Sequence, residues 1–306
     1  ACRFRQMVGD NSGVRPASAQ PCADTLSVYD IDILAKLDTL GADLERGFES
    51  YRFQELASKL YDFFWSEYCD WYLESIKRHF RDDADEAARE RTLAVVDTVL
   101  SRYLQYLQPF MPHICEELWE KLGYADGSGE LLMRTPFPVE PTLSGLPETQ
   151  IEEAQQRAAA VFDASTRIRH VKAQYNLAAK RNVKFILDPD VDWAVDEIDT
   201  MKLLCGAGEI EVAPGFQPTK GTASLLSSLG KFYMPLEGLV DLDAERARID
   251  KEKAKAEKDL KQISNKLSDA KFTERAPKEV VEENKRRRES LKAKLSQLEE
   301  MLENLS

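Results

Sequence analysis

Between Leu242 and Leu305 the apolar residues recur at alternating steps of three and four, and the pattern breaks once, at "FTERAP", which ends in Pro277. Leu242, Ile249, Ala256, Leu260, Ile263, Leu267 and Ala270 form the stripe before the break. Val281, Asn284, Arg288, Leu291, Leu295, Leu298, Leu302 and Leu305 form the stripe after it. A seam of this period belongs to a coiled coil, about four heptads in each arm. Proline inside a helix removes a hydrogen bond and clashes with the preceding turn. Two arms of similar length on either side of a breaker therefore predict an antiparallel hairpin, in which each stripe covers the other. At about 1.5 Å per residue such arms reach roughly 45 Å. A kinked coiled coil that dimerises through the same seam is the alternative, and Asn284 suits register control in both.

A chain of 306 residues with 43% hydrophobic residues is long enough for two or three domains. It has no uninterrupted apolar run of membrane-spanning length, so no membrane partner is expected. The opening "ACRFRQMVGD" has neither an initiator Met nor an apolar signal region, as expected of a piece of a longer, cytoplasmic protein. Cys2, Cys22, Cys69, Cys115 and Cys205 lie far apart with no C-x-x-C pair, so reduced thiols are expected and a disulfide framework is not. His113 and Cys115 are close, but with no second ligand pair nearby they are read as packing, with no metal.

Residues 1–147 read as a helical bundle. Ile33, Leu37, Leu40 and Leu44 share one helical face, weakened at its end by Gly41 and Gly47. In "YRFQELASKLYDFFWSEYCDWYLESIKRHF", Phe53, Leu56, Leu60, Phe64, Tyr68 and Trp71 make a stripe, with Phe63, Trp65, Tyr72 and Ile76 outside it. A helix apolar on several sides belongs in the middle of a bundle. Leu93, Val96, Leu100, Leu104 and Leu107 predict a third helix ended by Pro109, and Pro112 and Gly123 bracket a fourth. The stretch 123–147 is a Gly- and Pro-rich connection. Residues 148–240 read as a small α/β module: a helix from Glu148 to Val171, strand-like "VKFILD", "EIEVA", "ASLLSSL" and "KFYMPL", and a short helix from Trp193 to Leu204. Residues 241–306 are the coiled-coil arm. The fold class is mainly α.

Catalytic patterns are absent: no P-loop, no H-E-x-x-H and no G-x-S-x-G. The one G-x-G, "CGAGE", leads into a strand and reads as a turn, leaving no cofactor site here. Charge is uneven. Residues 242–306 carry 17 Lys and Arg against 15 Asp and Glu, leaving 25 against 39 on the remainder, for a net −12 overall. An acidic chain meets a polyanion only through local basic patches. Candidates are Lys285, Arg286, Arg287, Arg288, Lys292 and Lys294 on the second arm, and Arg246, Lys253 and Lys258 on the first. Lys77, Arg78 and Arg81 form another, and Arg167, Arg169 and Lys172 a further one. The bland reading of such runs is a solvated helix face.

Three stretches carry a resemblance. "FFWSEYCDWYLESIK" (Phe63 to Lys77) resembles the anticodon-binding bundle shared by the class I synthetases for valine, isoleucine and leucine. "LQPFMPHICEELWEKL" (Leu107 to Leu122) resembles the helix junction of that bundle. "KLSDAKFTERAPKEVVEE" (Lys266 to Glu283) resembles the C-terminal coiled-coil hairpin of the valyl-tRNA synthetase family, with Asp269 where Asn is common. The resemblance implies a part of an aminoacyl-tRNA synthetase without catalytic residues of its own. Catalytic and editing domains would precede it and supply the ATP and Mg chemistry, and a monomer is expected. It further implies that the bundle takes the anticodon stem-loop of tRNA(Val), through Lys77, Arg78 and Arg81. The arm would reach the outer corner of the tRNA, through Arg246, Lys253, Lys285, Arg286, Arg287, Arg288 and Lys292. Most of Trp65, Tyr68, Trp71 and Tyr72 are expected in the core. The rivals are the corresponding part of an isoleucine or leucine enzyme, and a non-enzymatic coiled-coil interaction protein.

Overall fold

The computed structural model describes residues 5, 25–81, 85–125, 131–268 and 278–305. Pro277 and the turn expected there, together with Asp269, Ala270, Cys2 and Cys22, lie outside these residues. The chain is mostly helical, with one four-stranded sheet and a C-terminal pair of long helices. One compact unit runs to Ser165 and takes back Asp196–Cys205; the second holds Thr166–Val195 and the chain from Gly206 onward.

In the first unit, α1 (Val28–Glu49) begins with a capping box: Ser27 Oγ accepts from the Asp30 N–H at 3.2 Å, and the Asp30 carboxylate accepts from the Ser27 N–H at 3.0 Å. The expected face, Ile33, Leu37, Leu40 and Leu44, is buried, and so are Tyr29, Ile31 and Leu34. The helix runs past Gly41 and Gly47, and both glycines are there for packing. A Cβ at Gly41 would collide with the Tyr106 hydroxyl, and one at Gly47 with Leu56. It then closes in a Schellman turn, with the Arg52 N–H reaching Gly47 O at 3.0 Å and the Tyr51 N–H reaching Phe48 O at 3.2 Å. Tyr51 occupies the left-handed position at φ +56 and is 79% exposed.

The next segment departs from a simple helical stripe. After α2 (Phe53–Asp62) the chain is π-helical from Phe63 to Tyr72, then passes through one α-turn, Leu73–Ser75, into a 3-10 turn, Ile76–Phe80. The i to i+5 spacing of a π-helix moves successive side chains off the 3.6-residue line. The buried line is therefore Leu56, Leu60, Phe63, Tyr68, Tyr72 and Ile76, while Phe53 is 47% exposed. Phe63, Tyr72 and Ile76, outside the expected stripe, are core because of this widened turn. Trp71 is half-buried and stacks on Phe162 at 4.6 Å, and Trp65 alone of the four expected core aromatics is exposed.

α3 (Glu86–Leu107) starts earlier than its apolar periodicity, because Asp85 caps it by accepting from the Ala88 N–H at 3.1 Å. α4 (Pro112–Lys121) follows, and Gly123 at φ +75 ends it. Cys115 is buried with Leu104, Leu122 and Leu132, and its desolvated thiol is pushed up to about 11, an inert packing role. The connection to the next helix is pinned by two carboxylates. Glu116 accepts the N–H groups of Leu132 and Met133 at 2.8 Å each, and Asp38 accepts that of Thr142 at 2.9 Å.

α5 (Glu148–Gln174) leads to β1 (Lys184–Pro189), then to a 3-10 turn, Asp192–Glu197, and α6 (Ile198–Cys205), which packs on the 3-10 turn Ile76–Phe80 of the bundle. β2 (Glu209–Val212), β3 (Thr222–Ser227) and β4 (Gly230–Pro235) complete a sheet of order β2-β1-β4-β3. β1 and β2 run parallel; β4 is antiparallel to β1 and forms a hairpin with β3 in the register Ser227↔Gly230. Central β1 buries Phe185, Ile186 and Leu187 in succession, as a strand covered on both faces should. The "CGAGE" stretch is the turn into β2, with Gly206 at φ +60.

α7 (Leu242–Ser268) and α8 (Lys278–Asn304) pack against each other within the second unit. Gly221 fixes their direction. Its N–H donates to Asn304 O at 3.2 Å, and its Cα faces Leu242, so the start of α7 and the end of α8 meet at β3. The helices are therefore antiparallel, each about 40 Å long. Their facing residues follow the expected seam. Ile249, Ala256, Ile263, Leu298 and Leu305 are buried, and Val281, Asn284, Arg288, Leu291, Leu295 and Leu302 are half-buried. Asn284 donates to Val280 O within its own helix at 2.7 Å. No described helix is long and apolar enough to cross a membrane.

Two substitutions test these local readings. Tyr51→Gly removes a bulky residue from the left-handed region and should stabilise the chain by about 0.5–1 kcal/mol, read as a higher urea midpoint. Gly221→Ala meets both a φ of +74 and a Cβ contact of 3.3 Å with Leu242. It should cost about 1 kcal/mol or more and expose the root of the two helices to protease first.

Candidate nucleic-acid interface

The first cationic site lies where the bundle's second helical run ends. Buried Ile76 anchors the 3-10 turn, and Lys77, Arg78 and His79 follow it in succession, with Arg81 in extended conformation beyond. Lys77 is exposed and pairs with Glu74 at 2.5 Å. Arg78 is half-buried, and its Nε–H donates to His79 Nε2 at 3.0 Å. The other ring nitrogen, Nδ1, lies 2.7 Å from Thr92 Oγ1 on α3, and that hydroxyl donates to Ala88 O at 2.8 Å. Burial lowers the His79 pKa, and the charges of Arg78 and Arg91 lower it further against a smaller opposing effect of Asp30. Arg81 is exposed, and its N–H reaches Arg78 O at 3.5 Å. The three expected cations are thus brought together, and two neighbours join them. His79 lies within the same short stretch of sequence, whereas exposed Arg91 and the Thr92 partner of the ring come alongside only when α3 folds back.

The second site is the surface of α7 and α8. Arg246, Lys285, Arg286, Arg287 and Lys292 are exposed, Lys253 is half-buried, and Arg288 faces the seam. Lys253 pairs with Glu299 across the helices at 2.9 Å, Lys285 with Glu282 at 3.5 Å, Lys292 with Glu289 at 3.2 Å, and Arg288 with Glu289 at 3.2 Å. Exposed pairs of this kind contribute little and part readily for a stronger anion. Arg246, Arg286 and Arg287 have no ion-pair partner among the described residues. Lys172 does not belong to a basic surface: it is buried and donates to Gly206 O at 2.7 Å.

Charge is sorted along the pair of helices. Near the root, residues 242–250 and 295–305 carry 2 basic against 6 acidic residues. Away from it, 251–268 and 278–294 carry 13 against 7. The division falls at the cross-helix pair of Glu252 and Lys294, 3.7 Å apart. The end remote from the sheet is therefore the positive one, +6 against −4 at the root, and its potential is available to a polyanion in a way the root's is not. Among the described residues, no group of three or more His, Cys, Asp and Glu side chains could hold a metal ion.

The sequence model for the anticodon-binding domain of tRNA ligases matches residues 30–187, and that for the valyl-tRNA synthetase tRNA-binding arm matches residues 241–306. A valine–tRNA ligase of Syntrophotalea carbinolica is 32% identical over 281 residues, covering 90% of this chain and 30% of the relative. One of Aquifex aeolicus is 30% identical over 285 residues (89% and 24%), and one of Nitrobacter winogradskyi 32% over 333 (100% and 34%). The chain thus spans about a third or less of the length of the curated relatives it matches. With both matches falling on the elements that carry the two cationic sites, the chain belongs to the anticodon-binding family of tRNA ligases, as a member with the arm of valyl-tRNA synthetases.

Proposed function

We infer that this chain is the tRNA-holding portion of a valine–tRNA ligase. The bundle end at Lys77, Arg78 and Arg81 takes the anticodon stem-loop of tRNA(Val). The positive end of the α7–α8 arm takes the outer corner of the same molecule, through Lys253, Lys285, Arg286, Arg287, Arg288 and Lys292, while Arg246, expected with them, falls in the acidic root and is left out of the contact. ATP-dependent aminoacylation and editing belong to catalytic domains N-terminal to these residues, with which this portion works in the cytoplasm as a monomer. By role the chain divides into an anticodon-binding bundle (1–147), a junction (148–240) and an arm (241–306).

The observation that carries this reading is the polarity of the arm. A solvated helical face needs no separation of charge along its length, whereas a lever that touches a polyanion only at its tip does. The seam filled within one chain supports a monomer over a dimerising coiled coil. Lys and Arg on the arm pair with phosphates and fix position, which favours RNA without reading its sequence. Within that set, Arg286 and Arg287 carry the most weight, and Arg288, turned to the seam, the least.

The test is binding of a valine tRNA transcript to the 306-residue chain across a salt series. Arg286→Ala with Arg287→Ala should reduce the slope of log affinity against log salt by about two, weakening valine and non-cognate tRNAs alike. An unchanged slope would remove the arm from the interface. Preference for isoleucine or leucine acceptors would keep the function and change the amino acid.

A further inference from the structure

Arg78 and His79 are adjacent in sequence and joined through their side chains, and the hydrogen bonds around them leave one arrangement of protons. An arginine Nε–H only donates, so His79 Nε2, 3.0 Å away, must be the acceptor and carry no proton. The proton of the neutral ring then sits on Nδ1, where Thr92 Oγ1 at 2.7 Å takes it. Thr92 can take it because its own hydroxyl proton is committed to Ala88 O at 2.8 Å. The tautomer is thus set from the backbone of α3 outward, through Thr92, to the ring and to the arginine. Arg78 is left with four terminal N–H groups that have no acceptor among the described residues.

We propose that His79 is a positioning residue: kept as the Nδ1–H tautomer by Thr92, it holds Arg78 by the Nε–H and presets the guanidinium's terminal N–H groups as a receptor for a phosphate of bound RNA. The phosphate half of this rests on Arg78 being an RNA contact as inferred above; the ring half does not. Pre-orienting a long side chain removes much of the rotamer entropy that a phosphate contact would otherwise cost. It also gives the contact a pH dependence opposite in sign to that of an ordinary histidine near RNA, which binds more tightly in acid. Here a proton added to Nε2 converts the acceptor into a donor and puts a positive charge against Arg78.

The surroundings agree with a ring that stays neutral. From its own turn it faces Arg78, and Lys77 beside it is paired with Glu74. α3 contributes Arg91. α1 contributes Asp30, which accepts from Tyr72 at 2.7 Å, and Tyr29, which donates to Glu197 at 2.5 Å. α6, which packs on this turn, carries Asp199 and Lys202, paired with each other at 3.3 Å. Burial and the two arginines outweigh Asp30, so the folded pKa lies below the ordinary value. The Arg78 bond is therefore intact above that ordinary value and is lost as pH falls through the lowered one.

The experiment has two readouts on the whole chain. Ring 15N shifts of His79 in the RNA-free protein, followed from pH 8 to pH 5, should show a protonated Nδ1 and bare Nε2. The titration should move upward in Arg78→Gln. In parallel, binding of a valine tRNA transcript is compared between the wild type and Arg78→Gln over the same range. The wild type should bind roughly tenfold tighter at high pH, the scale of one charged hydrogen bond. That ratio should fall toward one in acid, and His79→Gln, which keeps an acceptor, should retain it where His79→Phe does not. The opposite tautomer, or a titration unmoved by Arg78→Gln, overturns the positioning role. A ratio independent of pH overturns the phosphate receptor. A wild type that binds no tRNA at any salt is a distinct result, and it defeats the tRNA-holding function while the ring titration still decides the Arg78–His79 couple.

Discussion

Each carboxylate that this chain buries must be met by a donor, and that requirement organises the rest. A buried unpaired charge costs several kcal/mol or gives up its charge. Asp30, Asp32, Asp97, Glu197 and Glu245 are the buried acids among the described residues. Asp30 takes Tyr72 and the start of its own helix, Asp32 takes Lys36, and Asp97 takes Arg5 and Tyr124. Glu197 takes Tyr29 and Arg157, and Glu245 takes Arg248. These bonds tie α1 to the π-helical run, α3 to residue 5 and to the segment after α4, and α1 to the turn before α6. Burial and the neighbouring carboxylate push the Tyr29 hydroxyl far above its usual range, and the same two causes act on Tyr124. Both phenols are the donors in these bonds.

The same accounting says which cations are left over. Arg5, Lys36, Arg157 and Arg248 are committed to buried or half-buried acids, and Lys172 to a backbone carbonyl. In a chain of net charge −12 the remaining cations are spread over much of the surface, Arg46, Arg134, Arg169 and Lys220 among them, and they gather in sequence clusters at the end of the bundle and on the outer part of the arm. Acidic residues gather at the arm's root, where RNA would have no reason to sit. Repulsion from the acidic part and attraction at the tips act together to orient a polyanion, at a strength that falls with salt.

Much of this architecture was legible because the arm is a periodic object. Its seam residues occupy the positions that heptad spacing assigns, and Pro109, Pro112 and Gly123 mark helix ends as their backbone preferences require. The four strands appear where β-branched and aromatic runs lie between turn residues. What was not legible has particular causes. The π-helical stretch changes the period, so Phe63, Tyr72 and Ile76 fell outside a stripe drawn at 3.6 residues per turn. Gly41 and Gly47 read locally as weak helix formers, whereas Tyr106 and Leu56 make them necessary. Tyr51 gives no hint of its left-handed backbone, which depends on how α1 turns into α2. At the candidate interface, charge alone located Lys77, Arg78 and Arg81. Arg91 and the Thr92 partner of His79 depend on α3 returning alongside, a contact no local pattern encodes. Arg288 belonged to the seam and to the basic run at once, and the structure turns it toward the seam.

The most direct measurement is hydrogen–deuterium exchange of the chain alone and with a valine tRNA transcript at moderate salt. Exchange should slow in two separated places: around residues 76–92 at the end of the bundle, and over 251–268 and 278–294 on the outer arm. Residues 242–250 and 295–305 at the acidic root should be unchanged. Protection centred on the root, or slowing confined to the sheet and absent from both cationic sites, would contradict the inference that one RNA is held at both.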